Sequence, residues 1–405
     1  MPEPFQDTIV VANGFAGGAD DTMILDAVAF IALALWCHLA IGRGGFWRCA
    51  ERDEENPRPP LNWPRLAAVI PARDEAASIG RCLESLFRQD YGGSLSVVLV
   101  DDNSSDGTAA AAAHVARDCG AQDRLTIVSG APLAAGWTGK LWAVHQGVAE
   151  AIAAADPPEY LLLTDADIVY GPGTLNAVVA QTVGRGDVLT SFMVKLGCDS
   201  LAERFLIPAF VFFFQMLYPF AWVNRRDKAT AAAAGGCMLV RSEALQLAGG
   251  VEAIRTELID DCALARRLKA QGPIWLGLTD RIASIRAYPG WRDIAAMVSR
   301  SAYAQLDYSP WQLGGTVAAM TLTFLVPPAT ALFASGAAAF FGLFAWALMA
   351  LLYQPVLRLY RLSSLWGPAL PVAAFAYLLF TVESALASGR GEGGLWKGRF
   401  QARAK

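Results

Sequence analysis

Two blocks of apolar sequence near the ends of the chain limit what it can fold into. Residues 23–41 read MILDAVAFIALALWCHLAI, and residues 311–353 run almost without charge. At about 1.5 Å of rise per residue, the first block is long enough to cross a bilayer once and the second twice. A break is expected at Ser335 and Gly336. Residues 368–387 are a further candidate span, weakened by Pro371 and Glu383. Only 17% of the chain is charged and 54% is hydrophobic. Soluble domains carry roughly a quarter charged residues, so neither a disordered chain nor a wholly soluble enzyme fits. The first block is not a secretory signal, because Asp7, Asp20 and Asp21 precede it and no small-residue cleavage site follows. Arg43, Arg48, Arg52, Arg58 and Arg65 come after it. The positive-inside rule then places the N-terminus outside and the following domain in the cytoplasm.

A net charge of −4 gives no bulk attraction to nucleic acid, so no nucleic-acid partner is expected. The 7 Cys and 3 His are scattered, with no CxxC pair. Free thiols in a reducing compartment are expected rather than a disulfide framework or structural zinc.

The middle of the chain holds most of the charge and reads as alternating strands and helices. Strands are expected at 66–70 (LAAVI), 97–100, 125–128 and 160–164, and helices at 75–89, 108–119 and 139–154. This alternation gives an α/β fold with a mostly parallel, Rossmann-like sheet covered on both faces. Ligands bind such sheets beyond the carboxyl ends of the strands. Three of those ends are acidic: Pro71-Ala72-Arg73-Asp74-Glu75, Asp101-Asp102-Asn103-Ser104-Ser105-Asp106-Gly107 and Thr164-Asp165-Ala166-Asp167. A single acid after a strand is ordinarily a helix cap, and Asp106 or Thr108 suits that role. Three acidic ends on one sheet edge would repel one another without a cation or a donor-rich ligand. Asp165 and Asp167, two residues apart with Ala166 between, can face one hard cation. Oxygen ligands of that kind suit Mg²⁺ or Mn²⁺, which also bind substrate phosphates.

Further along, Asp260 and Asp261 precede Cys262, Leu264, Ala265 and Leu268 at helical spacing, which puts both acids in a first turn. Stabilising that helix end is the plain reading of the pair. Lys140 stands at a helix start, where backbone N–H groups and a cation favour phosphate; a solvated surface lysine is the alternative. Trp137 and Trp142 read as packing residues.

The segments PARDE (71–75), VDDNSSDGT (100–108), TDADI (164–168) and IDDCALARRL (259–268) resemble, in order and spacing, the family 2 inverting glycosyltransferases of GT-A fold. GWTGKLWA (136–143) and WKGR (396–399) are similar to the ceramide-glucosyltransferase-like branch and to its hopene-associated bacterial members. The resemblance implies a nucleotide-sugar donor, UDP-linked by expectation, held by Pro71, Ala72, Arg73, Glu75, Asp102, Lys140 and Asp165. It implies a divalent metal on Asp165 and Asp167. It makes Asp261 the catalytic base and Asp260 the acid before it. One departure stands out: residues 299–305 read SRSAYAQ, without the Arg-Trp element of many relatives, which speaks against a processive polysaccharide synthase.

The acceptor is read from the placement of apolar sequence. Residues 205–223 (FLIPAFVFFFQMLYPFAWV) are aromatic-rich and interrupted by Pro208 and Pro219. They are expected to form an interfacial segment lining a lipid entrance, with a buried core helix as the alternative. Small residues at 231–238 (AAAAGGCM) leave room near the base. A membrane lipid hydroxyl is therefore the expected acceptor. Two other readings stay open: a polyprenyl-phosphate glycosyltransferase and a catalytically silent nucleotide-binding scaffold. The expected organisation is a membrane helix in 1–43, a cytoplasmic catalytic domain at 44–310, about three spans in 311–387 and a basic tail at 388–405, all at a bacterial inner membrane. Three full spans would leave that tail outside, although Arg390, Lys397, Arg399, Arg403 and Lys405 favour the cytoplasm.

Overall fold

The computed structural model describes residues 19–54, 57–391, 395–396 and 399–400. Asp7 and the basic residues Lys397, Arg403 and Lys405 lie outside the described residues, as does half of the 396–399 motif.

A long helix, α1 (Ala19–Gly42), precedes an α/β unit. Its strands are β1 (Leu66–Ala72), β2 (Leu95–Asp101), β3 (Leu125–Ser129), β4 (Tyr160–Thr164), β5 (Ile168–Tyr170), β6 (Leu189–Lys195), β7 (Cys237–Arg241) and β8 (Ile274–Ser284). Between them lie α2 (Ala76–Phe87), α3 (Thr108–Asp118), α4 (Gly139–Ile152), α5 (Thr174–Arg185), α6 (Leu201–Leu217), α7 (Phe220–Val223), α8 (Ser242–Leu247) and α9 (Asp260–Lys269). After β8 come α10 (Trp291–Ser299), α11 (Pro310–Met320), α12 (Val326–Phe333), α13 (Gly336–Leu352), α14 (Gln354–Leu359) and α15 (Leu370–Gly389). A hairpin of β9 (Leu395–Trp396) and β10 (Arg399–Phe400) follows.

The eight strands form one sheet in the order β3-β2-β1-β4-β7-β6-β8-β5. Strands β1 to β4 run parallel; β7 is antiparallel to both β4 and β6. The expected α/β class and mostly parallel sheet are present. Register then fixes the site edge. Ala72 pairs with Asp101, and Asp101 with Ser129, so the ends of β1, β2 and β3 stand level. Thr164 pairs with Cys237, which brings the start of β7 beside the end of β4.

Both faces of the sheet are covered over its central strands. On one face Ile70 and Leu99 share a core with Ile79, Leu83 and Leu86 of α2. On the other, Val69, Val100, Val144, Leu161 and Met238 continue without interruption into Phe212, Phe324, Tyr353 and Tyr377 of the apolar helices. Each such side chain contributes about 1.5–3 kcal/mol by leaving water. Helix α4 lies directly on the sheet because residue 147 is glycine: a Cβ there would stand 2.5 Å from Val69 and 2.9 Å from Val100.

Among the described residues, five helices are long and apolar enough to cross a membrane: Asp21–Gly42, Leu201–Val223, Pro310–Phe333, Gly336–Leu359 and Ser364–Gly389. The break at Ser335 and Gly336 falls where the sequence placed it. Pro208 does not interrupt its segment as expected; α6 runs through it, capped by Ser200 and Glu203, and ends only before Pro219. Both faces of α6 around Pro208 are packed, so the lost hydrogen bond is outweighed by burial. At its other end Arg43, just past α1, donates to the carbonyls of Met216 (3.0 Å) and Leu217 (3.2 Å).

Between α11 and α12 the helix widens into a π-turn at Thr321–Leu325, where Val326 N–H reaches Thr321 O. Residues 327 and 328 are both proline. Neither has an N–H to offer Thr323 O, which an α- or π-turn would have paired with one of them. The indole N–H of buried Trp36, on α1, donates to it instead at 2.7 Å.

Candidate active site

The loop after β2 braces the turn after β1. Asp74 N–H donates to Ser104 Oγ (3.0 Å), Glu75 N–H to Thr108 Oγ1 (2.9 Å) and Ala76 N–H to Asp106 Oδ2 (2.9 Å). Asp106 thus caps α2, the neighbouring helix, and also accepts from Thr108. Asp102 is buried, with Arg73 Nη1 donating to its carbonyl at 2.6 Å and standing 3.7 Å from its carboxylate.

At the end of β4, Asp165 Oδ1 lies 3.0 Å from Lys140 Nζ, which is also 3.2 Å from Asp260 Oδ2. Lys140 is therefore not a solvated surface residue. Burial disfavours its charge, but Asp165 and Asp260 outweigh that and raise its pKa. Burial also pushes the Asp165 carboxyl up, with Lys140 holding it partly down. Thr138 caps α4 by accepting from Leu141 N–H, fixing the helix start that carries Lys140.

Asp261 is held from two sides. Gly235 N–H, just before β7, donates to its Oδ2 (2.9 Å), and Cys262 N–H to its Oδ1 (2.7 Å). A Cβ on Gly235 would sit 3.4 Å from Lys140 Nζ and 3.5 Å from Asp261 Oδ2, so a small residue keeps this corner open. Burial, then the neighbouring Asp260 charge, push the Asp261 carboxyl up to about 6.

Asp167 faces a residue that sequence reasoning missed. Arg286, just past β8, donates through Nε to Asp167 Oδ2 (2.8 Å) and through Nη2 to Glu75 Oε1 (2.6 Å). The antiparallel pairing of Ile168 with Ser284 delivers it there. Glu75, expected on the donor, accepts from Arg286 and from Ser78 Oγ at 2.8 Å. Pro71, Glu75, Lys140, Asp165, Asp167, Asp260 and Asp261 all line one cavity of about 780 Å³; Ala72, Arg73 and Asp102 do not. Trp137 and Trp142 pack on each other and on His145, as packing residues do.

The family model for "glycosyltransferase like family 2" matches residues 64–275. This chain belongs to glycosyltransferase family 2. Among solved structures it is similar to a mannosyltransferase from Pyrobaculum calidifontis, PcManGT, in complex with GDP-Man and Mn²⁺. The two share 21% identity with a TM-score of 0.53, over 88% of this chain and 99% of that one. The fold is of the GT-A type. S. aureus TarS 1–349 in complex with UDP-GlcNAc is similar at 14% identity and TM-score 0.36, over 81% of this chain and 92% of that one. Glucosyl-3-phosphoglycerate synthase of Mycobacterium tuberculosis is similar at 17% and 0.37, over 60% and 79%. No curated protein matches the chain.

A family 2 glycosyltransferase moves sugar from a nucleotide-sugar donor. The donor set at Asp165 and Asp167 fits a hard divalent cation: the ion pairs use Asp165 Oδ1 and Asp167 Oδ2, leaving one oxygen of each outside them. Among the described residues no group of three or more His, Cys, Asp or Glu is placed to hold a metal ion by itself. A cation there would complete its shell with water and diphosphate, the usual habit of Mg²⁺.

Proposed function

We propose that this enzyme transfers a sugar, with inversion, to the hydroxyl of a membrane lipid at the cytoplasmic face of the inner membrane. The observation that carries this reading is the make-up of the cavity. Its lining joins Lys140, Asp165, Asp260 and Asp261 with a large apolar surface from Phe210, Phe213, Phe324, Tyr377, Met297 and Met320. A soluble sugar has no use for such a wall, whereas a long-chain or polycyclic lipid buries apolar surface against it. The likeness of residues 136–143 to hopene-associated relatives favours a polycyclic acceptor.

In this reading Asp261 takes the proton from the lipid hydroxyl as its oxygen attacks the anomeric carbon from the face opposite the leaving group. The Gly235 and Cys262 N–H groups fix the carboxylate's direction. Lys140, between Asp165 and Asp260, lies where it can turn to the leaving phosphate. A divalent cation on Asp165 and Asp167, when bound, would neutralise charge on the departing diphosphate. No second carboxylic acid is needed, because a neutralised diphosphate leaves readily.

Mass spectrometry of membrane lipids from a deletion strain tests the acceptor. One glycosylated lipid should disappear and its unglycosylated precursor should accumulate. An unaltered glycolipid profile, or transfer by the purified enzyme to polyprenyl phosphate alone, would refute it.

The same reading bears on topology. Residue Trp366, before α15, packs on Phe205, which also meets Trp291 at the start of α10. Toward the far end of α15, Ser384 accepts from the N–H of Tyr303 (3.1 Å), beyond the end of α10, and donates to the carbonyl of Ser299, the last residue of α10. Both ends of α15 therefore touch the catalytic unit, and we read it as lying along α10 at the interface rather than crossing. A cysteine placed in the C-terminal tail should resist an impermeant thiol reagent in intact cells. Ready labelling would restore three full crossings.

A further inference from the structure

We propose that Arg286 and Lys140 act as resident counter-cations that hold Asp167 and Asp165 until a diphosphate draws them away, so that divalent metal and nucleotide enter the site together. The inference rests on the reading that the donor diphosphate and its cation sit over Asp165 and Asp167.

Each carboxylate of the pair is already neutralised by a protein cation: Lys140 spans Asp165 and Asp260, and Arg286 spans Asp167 and Glu75. A metal ion arriving alone meets two carboxylates whose charge Lys140 and Arg286 already match, and those two cations repel it. A diphosphate arriving with the metal changes this balance. It offers Arg286 and Lys140 a denser set of oxygens, and the Asp165 and Asp167 carboxylates are then released to the metal. The Arg286 side chain is built to move while its backbone stays fixed. About a third of it (36%) is exposed, yet Glu203 anchors the following turn by accepting from Tyr288 N–H at 2.7 Å. By linkage, whatever the diphosphate adds to metal affinity the metal adds to diphosphate affinity.

A rigid brace for Asp167 would behave in the opposite way, since removing it would disorder the ligand and weaken metal binding. The experiment is Mn²⁺ binding by the full chain in detergent, followed by electron paramagnetic resonance, with and without UDP and GDP. The unaltered protein should bind Mn²⁺ weakly alone and more tightly with nucleoside diphosphate. Arg286→Gln should bind Mn²⁺ alone about tenfold more tightly, and the diphosphate should then add correspondingly less. Arg286→Lys, which keeps the charge, should retain the weak binding of the unaltered protein and shows that the effect is not loss of fold. Unchanged or weaker Mn²⁺ binding in Arg286→Gln overturns the inference alone. Mn²⁺ binding that Asp167→Asn leaves intact, or no binding even with UDP or GDP, removes the metal reading and the inference with it.

Discussion

Asp261→Asn should lower turnover by about 10²- to 10⁴-fold while leaving nucleotide-sugar binding close to that of the unaltered enzyme. The substitution keeps the shape of the side chain and removes its capacity to accept a proton. Gly235 and Cys262 N–H would still find one amide oxygen between them, so the cost falls on chemistry more than on structure. The pH profile supplies an independent check. Burial and Asp260 raise the Asp261 carboxyl to about 6, and only its deprotonated form can act as base. Activity should therefore rise with pH through about 6 and level off above it. A profile flat from pH 5 to 8, or normal turnover in Asp261→Asn with loss in Asp260→Asn, would move the base to the neighbouring residue.

Asp165→Ala and Asp167→Ala should each reduce transfer by about 10³-fold or more, and EDTA should do the same to the unaltered enzyme. The two variants differ in what they leave behind. Asp165→Ala leaves Lys140 paired with Asp260 alone, whereas Asp167→Ala leaves Arg286 paired with Glu75 alone. Each removes one negative charge beside the diphosphate while both cations remain, so donor binding should survive better than turnover. Full activity in chelator, measured as nucleotide release in detergent, would exclude the metal.

Much of this site was legible in the sequence because its acids stand where strands stop. A run as short as LAAVI or YLLLT, bounded by polar or turn residues, reads as a buried strand, and the first polar residue after it then lies at the sheet edge. The strands β1 to β4 and the pair Asp165/Asp167 followed from that, whereas Asp260 and Asp261 came from the helical spacing of the residues after them. Strands β6 to β8 were not legible. Strand β7 begins straight after an alanine run that favours helix, and β8 carries Gly277, Thr279, Asp280 and Arg281 within it. Arg286 stayed hidden for the same reason: its partner Asp167 is 119 residues away, and only the pairing of β5 with β8 joins them. Glu75 was placed correctly at the edge, but nothing local reveals that a guanidinium claims it. Pro208 misled in the other direction, because a local helix-breaking rule gave way to packing on both sides.

The indole of Trp36 makes the first helix a component of the enzyme rather than a tether. It serves Thr323 O, a carbonyl for which Pro327 and Pro328 supply no helical donor, and it backs the ring of Phe324 at 5.4 Å on the wall of the cavity. Hydrophobic anchors are often treated as interchangeable, and any greasy helix would keep this chain at a bilayer. Here exchange carries a penalty that hydrophobicity cannot repair, since an unserved carbonyl in so apolar a place costs about 1–3 kcal/mol. Trimming the protein to its charged middle for easier handling would cut away the same donor. The portable unit of this enzyme thus includes its first long apolar helix, well before the first strand.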